Sequence, residues 1–129
     1  MTIPLWCLLI ATFLPFVWAF TGAWLRQRQF GAIDNHHPRQ QQAQLTGAGA
    51  RAMAAQQNAW EALAMFTAAV FAAHVNGATA GQAATAGMLF VAARIAHGLF
   101  YLADLDKLRS LAWVVGLGAV VWLFVLAAA

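Results

Sequence analysis

The sequence predicts an all-α integral membrane protein, a four-helix bundle whose helices run up, down, up and down. The first observation is composition: 63% of the 129 residues are hydrophobic and 9% are charged, whereas soluble domains average roughly 45–50% and about 25%. The second is that four long apolar segments each suit a hydrocarbon core roughly 30 Å thick. The third is that basic residues gather in alternate connections. Together these observations indicate that lipid is the solvent of the chain.

The chain divides into four predicted spans, one long polar loop and two short links. Pro4 falls in the first turn of the first span, where proline is tolerated, and Pro15 predicts a kink inside it. Arg26 follows this span and no basic segment precedes it, so we interpret it as a retained helix rather than a signal peptide. The predicted single domain covers residues 1–129, with spans at about residues 3–25, 48–75, 83–103 and 111–129 and the polar loop at residues 26–47.

The basic residues indicate how the bundle is oriented. Four of them lie in or beside the first loop and two lie in the last link, whereas residues 76–82 and both ends carry none. Cytoplasmic connections carry the excess of Lys and Arg, so we expect the long loop in the cytoplasm and both termini on the opposite side. The six residues are Arg26, Arg28, Arg39, Arg51, Lys107 and Arg109.

Composition also excludes two kinds of site. The net charge of +3 comes from only 7 basic and 4 acidic residues, and without clustered Lys and Arg on a soluble fold we expect no nucleic-acid partner. Cys7 is the single cysteine, so neither an intrachain disulfide nor a cysteine-based metal site is expected. His36 and His37 stand near Asp34 in the polar loop, but we interpret them as ordinary loop residues and predict no metal.

Two of the predicted helices carry polar residues along one face. Ionisable side chains inside spans are costly and mark functional sites. Three polar residues of the second helix fall within about 80° of one another on a helical wheel, and three of the third follow at i, i+3 and i+7. These stripes are Arg51, Asn58 and Glu61 in the second helix and Arg94, His97 and Tyr101 in the third.

Glu61 and Arg94 lie at similar depths, roughly 14–18 Å from the cytoplasmic ends of their helices at about 1.5 Å per residue. Their opposite charges predict an ion pair, within one subunit or between two. Such a pair fits two interpretations. It is a clamp that fixes the register of the helices, or it belongs to a polar cleft that opens to the cytoplasm and binds a small anionic ligand.

The segment Arg51–Phe66 (RAMAAQQNAWEALAMF) resembles the second-helix signature of the MAPEG family, the membrane-associated proteins in eicosanoid and glutathione metabolism. That signature has a basic residue, then Asn-x-x-Glu, then an apolar run. Arg51 stands at the basic position here, and Asn58 and Glu61 form the Asn-x-x-Glu motif.

Later parts of the chain carry further matches. Arg94, Tyr101 and Arg109 are similar to the family's third-helix basic residue, its tyrosine and the basic residue near the start of helix four. The resemblance extends over the four spans and the long first loop. It departs at Ala54, where catalytic members usually carry a second arginine, and at His97, which stands in place of a tyrosine. The chain is thus more similar to bacterial members than to the eicosanoid enzymes, and we expect it in a bacterial inner membrane.

The resemblance implies a homotrimer in lipid that binds glutathione as co-substrate between subunits, near the cytoplasmic side and without a metal. It implies a glutathione-dependent transferase or peroxidase that acts on small apolar electrophiles in the bilayer. By resemblance, Arg109 stabilises the thiolate as the catalytic residue, and the glutathione-binding residues are Arg51, Asn58, Glu61, Arg94, His97 and Tyr101.

Two alternatives to this activity stay open. One is a non-catalytic membrane scaffold, or a binder of another small anionic ligand. The other is a small transporter or proton relay in which Glu61 and His97 titrate, although the chain lacks the inverted repeats and broken helices of transporters.

Overall fold

The computed structural model describes residues 1–129 and consists of four long helices and one short helix, without strands. Helices hold 84% of the residues, so the all-α prediction is confirmed. The helices are α1 (Ile3–Phe30), α2 (Pro38–Ala43), α3 (Gly47–Val75), α4 (Ala80–Leu102) and α5 (Asp106–Ala128).

Three of the four predicted spans, α1, α4 and α5, are long and apolar enough to cross a membrane. The remaining one, α3, is the longest helix with 29 residues, but it does not reach the same apolarity. Its N-terminal half carries one acidic and one basic residue and the amides Gln56, Gln57 and Asn58. These side chains suit a helix that is shielded from lipid, because unpaired polar groups are costly in a hydrocarbon core.

The long helices pack together around small buried side chains. α1 and α5 each contact both α3 and α4, and α3 also contacts α4. Without a hydrophobic force between helices in lipid, small residues that let the backbones approach supply the packing. On α3 these are Ala52, Ala55, Ala59 and Ala62, all buried. Deeper in the bundle the rings of Phe66 and Phe90 stack at 3.8 Å between centroids, and both rings are almost completely buried.

Helices α1 and α4 pack closely where Trp18 lies on Gly98. A methyl group added at Gly98 would overlap three atoms of the indole ring. Trp18 is buried and packs with Ala55 and Ala59 of α3. The absence of a side chain at residue 98 therefore allows three helices to meet around one indole.

The polar loop is more structured than the sequence predicts. α1 continues to Phe30, beyond the predicted end of its span, and stops at Gly31, whose φ of 78° lies in the left-handed region where glycine is favoured. The short helix α2 begins at Pro38 within the segment predicted as loop. The predicted boundaries at residues 25 and 26 describe the end of the apolar run, whereas the backbone hydrogen bonds of the helix extend further.

Side-chain hydrogen bonds attach this loop to the end of α1. Gln29 accepts from the backbone N–H of Thr46 at 3.1 Å and donates to the carbonyl of Gln44 at 3.2 Å. Gln41 donates to the carbonyl of Ala32 and accepts from the N–H of Asp34, both at 2.9 Å. The first and third helices are thereby held together by a fixed connection at this end.

Candidate functional site

The polar stripes of α3 and α4 meet at Arg94. One Nη of Arg94 donates to the side-chain carbonyl of Asn58 at 2.5 Å, and the amide nitrogen of Asn58 donates to a carboxylate oxygen of Glu61 at 3.3 Å. Arg94 is 4% exposed, and its Nε is buried without a hydrogen-bond partner. A buried, incompletely satisfied guanidinium is costly. Arg26, near the end of α1, is the other buried arginine whose Nε has no partner.

Glu61 does not pair directly with Arg94 within the chain, in contrast to the sequence-based expectation. Neither of the two ion pairs in the chain involves them, because Asn58 stands between the two charges. Its amide fits both neighbours, since the oxygen accepts from the cation and the nitrogen donates to the anion. Arg94 is buried, whereas Glu61 is exposed on the surface of α3.

The α4 stripe continues from Arg94 toward the link between α4 and α5. One Nη of Arg94 lies 3.4 Å from Nδ1 of His97, and because arginine offers only donors, Nδ1 is the acceptor. The His97 ring makes an edge contact with Tyr101 at 5.5 Å between centroids. The guanidinium of Arg109 lies 4.4 Å from the centre of the Tyr101 ring, within the range of a cation–π contact.

Arg51 lies outside this series of contacts. It precedes Asn58 by two turns of α3, roughly 10 Å along the axis, and reaches the end of α4. Its Nε and Nη2 donate to the carbonyl of Leu102 at 3.4 and 3.3 Å. Its Nη1 lies 3.6 Å from a carboxylate oxygen of Asp104. The structure thus brings six of the seven predicted site residues into one connected series and places Arg51 beside it.

Asp104 is the polar partner at this end that sequence reasoning missed. Its pairing depends on a φ of 61°, and a link of alternating acidic, apolar and basic residues does not indicate such a backbone conformation. Gln56 and Gln57 were likewise not assigned to a site. They line a cleft of about 530 Å³ on the other side of α3, together with Arg39, Gln42, Ala43, Met53, Ala54 and Trp60.

Within a single chain, the cavities that border Arg94 are too small for a ligand. The two voids that border Arg94 measure about 10 Å³ each. An apolar cavity of about 460 Å³ lies at the opposite end, beside His74. No three histidine, cysteine, aspartate or glutamate side chains come together as a metal site.

Comparison with known proteins gives one match. The model of the MAPEG family matches residues 3–129, which is essentially the whole chain. No curated protein and no solved structure matches the chain.

Proposed function

Because the chain belongs to the MAPEG family of membrane proteins, which includes glutathione transferases and peroxidases, we propose that it uses glutathione as a co-substrate against apolar electrophiles or peroxides dissolved in the bilayer. The observation that carries this proposal is the buried Arg94 with its partners Asn58 and His97. A buried cation with an unused donor suits an anionic ligand, and charged groups inside a membrane protein mark such sites.

The surface of α3 supports a homotrimer. Glu61 and Trp60 are exposed on a single chain, and an exposed carboxylate within the hydrocarbon core costs about 2.5–3.5 kcal/mol on insertion scales. Contact with the α3 and α4 helices of other copies would cover this surface.

We further propose that the four long helices run up, down, up and down across the membrane, with the α1–α3 loop and the α4–α5 link in the cytoplasm. The six basic residues other than Arg94 support this orientation, because they all lie in or beside these two connections. In this orientation Arg51, Tyr101 and Arg109 lie near the cytoplasmic surface, where glutathione is available.

The chemistry requires a thiolate, and the cluster supplies cations for it. A nearby cation lowers the pKa of a thiol and so raises the fraction of thiolate, which is the nucleophile. Arg109 is assigned to the thiolate, while Arg94 and Arg51 pair with the two carboxylates of glutathione through charge-assisted hydrogen bonds. Glu61 is the acidic group of the cluster and complements the ligand's ammonium. The thiol proton leaves to solvent first. The thiolate then forms a carbon–sulfur bond with the electrophile, while a leaving group departs with its bonding electrons or a carbon–carbon double bond opens and takes up a proton. With a peroxide, the thiolate attacks one oxygen, the O–O bond breaks and an alcohol leaves, and a second glutathione converts the sulfenic acid to the disulfide and water.

Calorimetric titration of glutathione into the detergent-purified oligomer tests this proposal. Wild type is compared with Arg94→Ala and with Arg28→Ala. The control arginine lies over the ring of Trp24, outside the cluster, so its loss removes the same charge without touching the site. Saturable binding with thiolate absorption in wild type and Arg28→Ala, both lost in Arg94→Ala, is the expected result. Absence of binding at several millimolar glutathione in a folded wild-type oligomer would refute the proposal.

A non-catalytic role is the second candidate. Arg94 already has partners in Asn58 and His97, and such a network can serve to fix helix register. In the same titration a scaffold predicts a stable oligomer without binding, and a binder of another anion predicts binding without a thiolate signal.

A further inference from the structure

The end of α4 contains an aspartate in an uncommon backbone conformation. Asp104 has a φ of 61° and is the only non-glycine residue with a positive φ. The N–H of Leu105 donates to the carbonyl of Phe100 at 2.9 Å, and that of Asp104 donates to Tyr101 at 3.2 Å. These two bonds close the helix in the Schellman pattern, in which glycine most often occupies the left-handed position. Aspartate is tolerated there, but the turn itself does not require a carboxylate.

The carboxylate of Asp104 contacts Arg51, which the proposed function assigns to a carboxylate of the ligand. The distance from Nη1 of Arg51 to Oδ2 of Asp104 is 3.6 Å, and the two side chains are 29% and 72% exposed. The remaining donors of Arg51 face the carbonyl of Leu102. Asp104 therefore occupies the edge of the guanidinium that is still available to an anion.

We propose that Asp104 is an internal competitor that occupies Arg51 until a carboxylate of the ligand displaces it. The inference rests on the proposed function, because it takes the ligand to be an anion held in part by Arg51. An ion pair this accessible to water is weak, so a ligand that binds Arg51 with better geometry replaces it readily. Removing the competitor is expected to tighten binding by about two- to fivefold, the range set by exposed ion pairs.

Displacement also affects the residues that flank the turn. Asp104 lies between Tyr101 and Arg109, which contact each other through the tyrosine ring. While Asp104 pairs with Arg51, the start of α3 is attached to the turn that lies between Tyr101 and Arg109. When the ligand takes Arg51, the contact with Asp104 is released, while the hydrogen bonds from Arg51 to the carbonyl of Leu102 remain.

Titration of glutathione into oligomers of wild type, Asp104→Asn, Asp104→Gly and Asp106→Asn tests the inference. Asparagine and glycine both suit the left-handed position, so the turn is preserved while the carboxylate is lost. Asp106→Asn is the matched control, because it removes the same charge two residues away, at the start of α5, and Asp106 has no ion pair with Arg51. We expect tighter binding in both Asp104 variants and no such gain in Asp106→Asn.

A second measurement does not depend on glutathione. The rate at which phenylglyoxal modifies Arg51, followed by mass spectrometry, is expected to rise in Asp104→Asn relative to Asp106→Asn, and to fall when the dicarboxylate glutarate is added. Unchanged labelling, or weaker glutathione binding in the Asp104 variants, would overturn the competitor role. If no protein binds glutathione but the labelling pattern is as expected, the proposed co-substrate is wrong while the competition at Arg51 stands.

Discussion

Replacement of Gly98 by alanine should destabilise the protein, although alanine is the better helix former. Within a helix, the change from glycine to alanine contributes about 1 kcal/mol of stability. At Gly98 the new methyl group would overlap the ring of Trp18, which is buried and has no flexible end that can move aside. Overpacking of this kind costs about 1–3 kcal/mol and occasionally more. Since the overlap involves three atoms of a rigid ring, we expect a net loss of about 2 kcal/mol.

Gly118→Ala is the matched control for this substitution. Gly118 is also helical, and a methyl group there would meet nothing within 4 Å, so the propensity gain of about 1 kcal/mol remains. The free energies of unfolding of the two variants should therefore differ by about 3 kcal/mol. Equilibrium unfolding in mixed detergent micelles, followed by circular dichroism, measures this difference.

The cause of the loss can be checked by a double-mutant cycle. Trp18→Phe shrinks the ring above Gly98, so Gly98→Ala should cost less in that background, by an interaction free energy of at least about 1 kcal/mol. The reasoning is refuted if Gly98→Ala is as stable as Gly118→Ala, or if its cost is the same with Trp18 and with phenylalanine.

Three further predictions concern the apolar core and the loop between α1 and α3. Phe90→Ala removes one ring of the buried stack and should lower the free energy of unfolding by about 3–5 kcal/mol. Phe20→Ala is the control, because this side chain is 73% exposed and its loss should change the free energy of unfolding little. A similar loss in both variants would contradict the packing argument. The backbone N–H groups of His37 and, with a smaller effect, His36 donate to the Asp34 carboxylate and lower its pKa. These hydrogen bonds therefore stabilise the turn fully above the unfolded pKa of about 3.9, and their stabilisation is lost as the pH falls through the lower folded pKa. Hydrogen-exchange protection of the two backbone amides should fall in that pH range in wild type and not in Asp34→Asn. Gln41→Ala removes the hydrogen bonds to Ala32 and Asp34 and should speed proteolysis of the loop, while Gln40→Ala, in the same short helix, should not; equal rates would show that these bonds do not hold the loop.

The sequence predicts the long helices well because their signals are local. Apolar length defines α1, α4 and α5, and the predicted second span at residues 48–75 differs by one residue from α3, Gly47–Val75. The short helix α2 has no such signal, since six residues without apolar periodicity (PRQQQA) do not indicate a helix. It depends on contacts between the loop and the end of α1, which are not local in sequence.

The contacts of the candidate site are harder to predict than its members. Depth along the helices suggested that Glu61 pairs with Arg94, but rotation around the helix decides which residue meets the neighbouring helix. Asn58 and Glu61 differ by about 60° on the wheel at 100° per residue, and it is Asn58 that faces α4. Likewise, the composition of the α4–α5 link does not indicate that Asp104 turns back toward Arg51, because this requires the left-handed backbone at one residue.

The polar face of α3 has a consequence for how the chain enters the membrane during its synthesis. A segment with Glu61, Asn58 and two glutamines partitions poorly into lipid by itself, because a single acidic residue at mid-depth opposes insertion by about 2.5–3.5 kcal/mol. α1 is apolar through most of its length and packs directly on α3, and Gln29 ties their adjoining ends through Thr46. We therefore expect α3 to enter as the second arm of a hairpin with α1, and we expect a nascent chain without its first helix to leave α3 outside the bilayer.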